Sequence, residues 1–257
     1  MKSHIRLLLR QARFDFRRRY LGTLFGIAWA FISPLMNIAL IYVVFTFGLK
    51  AGHLGDGIPF LDWFVPGMVA WLFMSEAIGA GCGAVMENTH LATKVVFPLR
   101  LLPPAKILTI APVHFALMTL PLAIVLIRGS GTPMWWWQIA YYFLCAFIFC
   151  TAAAFITSAC MVFVRDTANV IQVLLQVFFW ATPIFWDPAM AAGTRGRFLL
   201  YSPINYIVQG YRDSILYARP FWEKPMETAV FWVFTLLLAG AGLLIFKRAR
   251  PHFADVL

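Results

Sequence analysis

Apolar stretches of about 18 or more residues recur along this chain, each long enough to cross a ~30 Å hydrocarbon core as a helix. A bilayer offers the backbone no water to bond, so such segments must be helices or strands of a closed barrel. The alternating ten-residue segments of a barrel do not occur. The reading is therefore an all-α polytopic membrane protein. Composition agrees: 12% of the residues are charged and 61% are hydrophobic, against about 25% charged in soluble domains.

Six transmembrane helices are predicted: Phe25–Phe47, Trp63–Ala84, Ala105–Ile127, Trp135–Val164, Val170–Phe185 and Ala229–Phe246. The fourth begins on Trp135-Trp136-Trp137, an interfacial anchor, and is long enough to require tilt. Residues 187–228 fit no simple span. Asp187-Pro188, Ser202-Pro203 and Gly210-Tyr211-Arg212-Asp213 break them, so short re-entrant helices shielded by protein or water are expected there.

The formal charge is +10, and its placement points to lipid and topology rather than to nucleic acid. Seven basic residues from Lys2 to Arg19 precede the first span, and Lys247, Arg248 and Arg250 follow the last. With the N-terminus inside, 14 basic residues fall on the cytoplasmic side and seven opposite, so both termini are expected in the cytoplasm. The N-terminus does not read as a cleavable signal, its basic and apolar regions both being too long.

Residues 4–20 are expected to form an amphipathic helix lying in the interface. Ile5, Leu8, Leu9, Ala12 and Phe16 share one face, with Arg6, Arg10, Arg13 and Arg17 as a stripe beside it. Cys82, Cys145, Cys150 and Cys160 lie in apolar segments without C-x-x-C spacing, which argues against disulfide or zinc and for buried small hydrophobes. Glu76 is the acid well inside a span, with no clear basic partner in its layer. His114 has no second ligand at metal spacing and reads as a helix-contact histidine. No catalytic residue and no metal site are expected.

The arm and spans, taken with a set of short motifs, resemble the membrane subunit of type-2 ABC exporters for cell-surface polysaccharides such as O-antigen, capsule and teichoic acid. The motifs are Arg19-Tyr20-x-Gly22, Gly26-x-x-Trp29, Pro34-Leu35, Phe64-x-x-Gly67, Trp71-Leu72-Phe73, Glu87-Asn88 and Lys94-x-x-Phe97-Pro98. Arg165-Asp166, Thr182-Pro183-Ile184-Phe185, Ser202-Pro203-Ile204-Asn205 and Gly210-Tyr211-Arg212 continue the series in order. The resemblance covers nearly the whole length. It implies a single exporter transmembrane domain over 1–257: an interface helix over 1–22, spans one to five over 25–186, the broken segment, the sixth span over 229–246 and a tail over 247–257.

The resemblance also implies a homodimer in the cytoplasmic (inner) membrane, associated with two copies of an ATPase subunit and moving a lipid-linked polysaccharide. No phosphate loop occurs in this sequence, so ATP and magnesium would belong to that partner and no cofactor to this chain. The segment Glu87–Pro104 is implied to be the coupling helix, with Glu87, Asn88, Lys94, Phe97 and Pro98 meeting the ATPase. The first and fifth spans would face the pore. They carry Trp29, Phe31, Tyr42 and Phe45, then Phe178, Phe179, Trp180, Phe185 and Trp186, whose rings suit sliding sugars. Arg10, Arg13, Arg17, Arg18 and Arg19 would load the lipid-linked substrate by its pyrophosphate, with Gly22 as hinge. Two alternatives stay open at this point: the same architecture exporting a drug or small lipid, and an integral-membrane enzyme acting on lipid-linked sugars. The second would call for paired acids, or an acid with a metal cluster, near one interface. The acids here are scattered singly except around Asp213, Glu223 and Glu227, which lack a matching motif.

Overall fold

The computed structural model describes residues 2–20, 26–48, 50, 57–93, 97–192 and 195–256. Among them there is no β-strand, and five helical stretches are long and apolar enough to span a membrane: Gly26–Gly48, Phe60–Cys82, Leu99–Arg128, Gln138–Phe163 and Pro225–His252. The elements in order are the arm α1 (Lys2–Tyr20), α2 (Trp29–Val43, entered by a 3-10 turn and extended by a π turn to Gly48) and α3 (Phe60–Cys82). The short α4 (Thr89–Thr93) leads to α5 (Leu102–Arg128), α6 (Gln138–Phe163) and α7 (Thr167–Ala181). Then come α8 (Ala189–Ala192), α9 (Pro203–Arg212), α10 (Pro225–Ala249) and α11 (Phe253–Val256).

Five of the six predicted spans appear as spanning-length helices. The predicted fifth, Val170–Phe185, does not. Its helix α7 has 15 residues, about 22 Å at 1.5 Å per residue, and falls short of the hydrocarbon thickness. The chain leaves helical geometry at Thr182, and Thr182 to Phe185 run on as buried, non-helical backbone. Pro183 explains the stop, since it disfavours helical geometry at the residue before it. The fourth helix starts at Gln138 rather than Trp135, because the tryptophans form a 3-10 turn and a cap ahead of it. Trp135 and Trp137 there meet Trp222, with ring centroids 5.8 and 6.3 Å away.

Helix α3 is the centre of the bundle. From Trp63 to Trp71 every residue is buried, and α5, α6, α7 and α9 all pack on it. α10 packs on α6. Two helices stay at the margin: α2 buries only Ile38, and α7 buries nothing. Cys82, Cys145 and Cys150 are buried as expected, whereas Cys160 is exposed on the outer side of α6.

Candidate functional site

The arm α1 docks on protein through Ala12, Asp15 and Tyr20, which are buried, while Ile5 and Leu9, of the apolar face expected in the interface, are exposed with Leu7 and Phe14. Polar contacts decide the register. Gln11 Nε2 donates to Asp15 Oδ1 and to Asn88 Oδ1, each at 3.2 Å, and Asn88 Nδ2 donates to the Ala84 carbonyl at 3.0 Å. Thr109 of α5 donates to the Ala12 carbonyl at 3.3 Å. Burial pushes the Asp15 carboxyl above the usual range, partly offset by Lys106 and the Gln11 bond.

Beyond this contact lies a chain of charges. Arg19 pairs with Glu76 at 2.5 Å. Lys106 pairs with Glu87 at 2.5 Å, and Arg18 lies 3.8 Å from the same carboxylate while donating to the Glu87 carbonyl at 3.3 Å. The basic partner that the sequence did not offer Glu76 is therefore Arg19, brought from 57 positions away. Two clefts meet at this pair. One, of 440 Å³, is lined by Asp15, Arg18, Glu87 and Lys106. The other, of 410 Å³, opens along α2 past Trp29, Ser33 and Asn37. Together they form a polar path from the arm to the first long helix.

The predicted loading residues divide accordingly. Arg18 and Arg19 are committed to carboxylates of the same chain, whereas Arg10, Arg13 and Arg17 are exposed and form no ion pair among the described residues. Gly22 and Lys94 lie outside the described residues. The predicted coupling segment is a 3-10 turn, Met86–Asn88, running into α4. Within it Glu87 faces Lys106 and Arg18, and Asn88 is buried against Gln11 and Ala84. Phe97 and Pro98 are half-buried, Phe97 against the cluster of Leu99, Leu102, Phe246 and Phe253.

The nine predicted pore aromatics differ in burial. Trp29, Phe178 and Trp180 are exposed; Phe31, Tyr42, Phe45, Phe179 and Trp186 are half-buried; Phe185 is buried. Phe185 joins the ends of α2 and α7, its ring 5.1 Å from Phe45, 5.3 Å from Phe179 and 5.0 Å from Trp180. Trp186 Nε1 donates to the Trp180 carbonyl at 3.1 Å and ties the break to the helix before it. A polar stripe was overlooked in the sequence. Asn169, Gln172 and Gln176 of α7 are all exposed, and spacing of three and four puts them on one face. On α2, Trp29, Ser33 and Asn37 likewise follow at intervals of four and are exposed. The signal was legible as amides at helical spacing inside an apolar run.

Behind these helices, α9 carries a fully buried cation. Arg212 Nε donates to the Trp63 carbonyl at 3.0 Å, and Nη1 and Nη2 donate to the Pro183 and Ile184 carbonyls, each at 2.7 Å. The guanidinium also lies 3.4 Å from the centre of the Trp63 ring. Gly67 makes the room, because a Cβ there would fall 2.6 Å from Nη2. The neighbouring Tyr211 hydroxyl meets His114 Nε2 at 2.9 Å, near the middle of α5, so His114 is a helix-contact histidine as expected. Gly210 lets α9 lie directly on Tyr142, where an added Cβ would sit 2.0 Å from the ring. Gly210→Ala is expected to lower stability by about 1–3 kcal/mol through overpacking, read as a lower melting temperature of the solubilised protein. An unchanged melting temperature would mean that the helix is not seated on that ring.

A helical bundle with a docked basic arm, two uncovered helices and a broken segment packed into its end is the frame of a transporter membrane domain. The chain belongs to the ABC-2 type transporter family, whose sequence profile matches residues 7–216. It is a multi-pass membrane protein by that membership and by its long apolar helices. Among curated proteins it is similar to the O-antigen export system permease protein RfbA of Myxococcus xanthus, 25% identical over 256 residues that cover 97% of this chain and 94% of the relative. Two proteins of the same description from Klebsiella pneumoniae are 23% and 22% identical over 247 residues, covering 95% of this chain and 92% of each relative.

Proposed function

We propose that this chain is the permease subunit of an ATP-driven exporter that carries a lipid-linked, O-antigen-like polysaccharide across the cytoplasmic membrane. It works as a homodimer with two copies of a separate ATPase, which binds the ATP and magnesium. The observation that carries the reading is the polar surface on the two uncovered helices, α2 and α7. An unpartnered amide in hydrocarbon costs several kcal/mol. Asn169, Gln172 and Gln176 on α7, with Asn37 midway along α2, suit a wet passage completed by a second copy. Exposed Trp29 and Trp180 share helix faces with Ser33 and Gln176, and their rings give sugar C–H faces a surface without a fixed hydrogen-bond pattern. The names of the full-length relatives support the O-antigen class.

The remaining parts follow from this arrangement. The unpaired stripe Arg10, Arg13 and Arg17 takes the pyrophosphate of the lipid carrier through charge-assisted hydrogen bonds, and the Arg19–Glu76 cleft leads from it to α2. Both termini are cytoplasmic, α7 with the non-helical segment after it serves as the sixth crossing, and α9 is re-entrant. The segment from Met86 through α4 transmits the ATPase stroke. The test is a strain without this gene, complemented with wild type or with Arg10, Arg13 and Arg17 all changed to Gln. Wild type should restore surface polymer, and the triple variant should restore roughly tenfold less at equal membrane level. Normal surface polymer in the deletion strain would overturn the export reading; full complementation by the triple variant would overturn the arm's role.

A further inference from the structure

At the end of the bundle away from the docked arm, α9 and the first turns of α3, α6 and α10 surround a cleft of 280 Å³. That volume sits at the lower edge of small-molecule sites, which begin near 300 Å³, and suits one sugar ring rather than a chain. Two amides of α9 line it four residues apart, on one helix face: Asn205 and Gln209. Asn205 is 5% exposed. Its Nδ2 donates to the Leu200 carbonyl at 2.7 Å, which leaves Oδ1 as the free acceptor. Neither that oxygen nor Gln209 Nε2 has a hydrogen-bond partner among the described residues. Both atoms are closed to solvent in this conformation, and an unmet buried acceptor or donor costs about 1–3 kcal/mol. A pyranose hydroxyl, which donates and accepts at once, answers either one when the amide turns to the cleft.

Charge decides which kind of ligand fits. Asp187, Asp213 and Glu227 line the cleft with Lys224 and Arg219. Lys224 is spent on Asp213 through a short ion pair, and Arg219 lies over the Tyr217 ring at 5.2 Å. A phosphate or carboxylate ligand would meet two carboxylates against a single cation, whereas a neutral polyol carries no charge to be repelled and finds both acceptors and donors for its hydroxyls. Tyr142, Tyr206 and Trp63 supply carbon walls.

We infer that this cleft is a binding site for one neutral sugar ring, placed to hold the polysaccharide as it leaves the far end of the bundle. The identity of that polymer rests on the export reading above; the site itself does not. The test uses the intact chain solubilised in a detergent without a sugar headgroup, because maltosides present the same chemistry. A hexose, a 6-deoxyhexose and an N-acetylhexosamine are offered as free monosaccharides, and binding is read by saturation-transfer NMR. Wild type should bind at least one of them. Gln209→Leu, whose amide nitrogen holds no other part of the protein, should bind roughly fivefold more weakly at an unchanged melting temperature. Asn205→Ala also releases the Leu200 carbonyl, so it serves only as a second variant.

Binding of none of the three sugars by wild type would overturn the site and leave a water-filled cleft. Undiminished binding in Gln209→Leu would overturn the location. Weaker binding with a matching loss of export establishes the polymer in transit as the occupant, and weaker binding with normal export overturns that occupant in favour of a free sugar. Because monosaccharide binding is measured without transport, failure of the export reading leaves a distinct result.

Discussion

Arg212→Ala is expected to destabilise the protein by about 3–5 kcal/mol, the range for removing one member of a buried, fully bonded charge network. Three carbonyls, those of Trp63, Pro183 and Ile184, lose their donor at once. All three belong to buried residues, and the Trp63 ring loses its stacked cation. Arg212→Lys should recover little of this. A single ammonium cannot reproduce three planar donors or lie flat on an indole. Thermal melting of the solubilised chain and its yield in membranes measure the effect. A melting temperature within about 2 °C of wild type for Arg212→Ala would mean that the network adds less than about 1 kcal/mol.

The pair Arg19–Glu76 is the second large effect, and it is felt in function more than in stability. The two side chains are 37% and 32% exposed, so solvent screening holds the pair to about 1 kcal/mol. The geometry makes that energy matter, because the pair closes the junction of the two clefts and holds the last turn of the arm. Arg19→Glu or Glu76→Arg alone places like charges in contact. Each should speed trypsin cleavage of the arm roughly tenfold and reduce export with it, by the factor that 1.4 kcal/mol of lost docking gives. The double exchange restores the attraction in reverse and should recover both. A double exchange cleaved as fast as either single variant would show that the arm is held by its other contacts, those of Gln11, Ala12 and Arg18, without this pair.

The bundle was readable because burial in a membrane and burial in a core leave the same mark, a long apolar run. Phe60–Cys82 and Gln138–Phe163 therefore emerge close to their predicted ranges. The same equivalence hid which helix is central. An apolar run alone does not tell α3, buried without a break from Asp62 to Trp71, from α2, which buries only Ile38. The fifth span was overextended because Pro183-Ile184-Phe185-Trp186 is apolar enough to pass for helix. Its non-helical backbone depends on a guanidinium from residue 212, a contact that hydropathy cannot register. The arm was legible as a helix, whereas its seat on the bundle was not, since Gln11 and Asp15 carry no weight in an apolar pattern. The charge pairs at Glu76 and Glu87 join residues 57 and 19 positions apart, beyond the reach of local spacing.

The break after α7 has a mechanical meaning. Arg212 grips the start of α3 and the backbone just past α7 from the end of α9, so three separate lengths of chain share one rivet. Parts fixed in this way turn together or stay still. Slack for the passage proposed above would then come from the side that carries no rivet, where the turn after α2 meets the segment after α7 ring to ring at Phe45 and Phe185. Rings can slide over one another at little expense, whereas three carbonyls cannot be let go cheaply. On the export reading proposed above, the lengths pinned by Arg212 would act as a stator around α3, and α2, which buries only Ile38, would be the panel that slides.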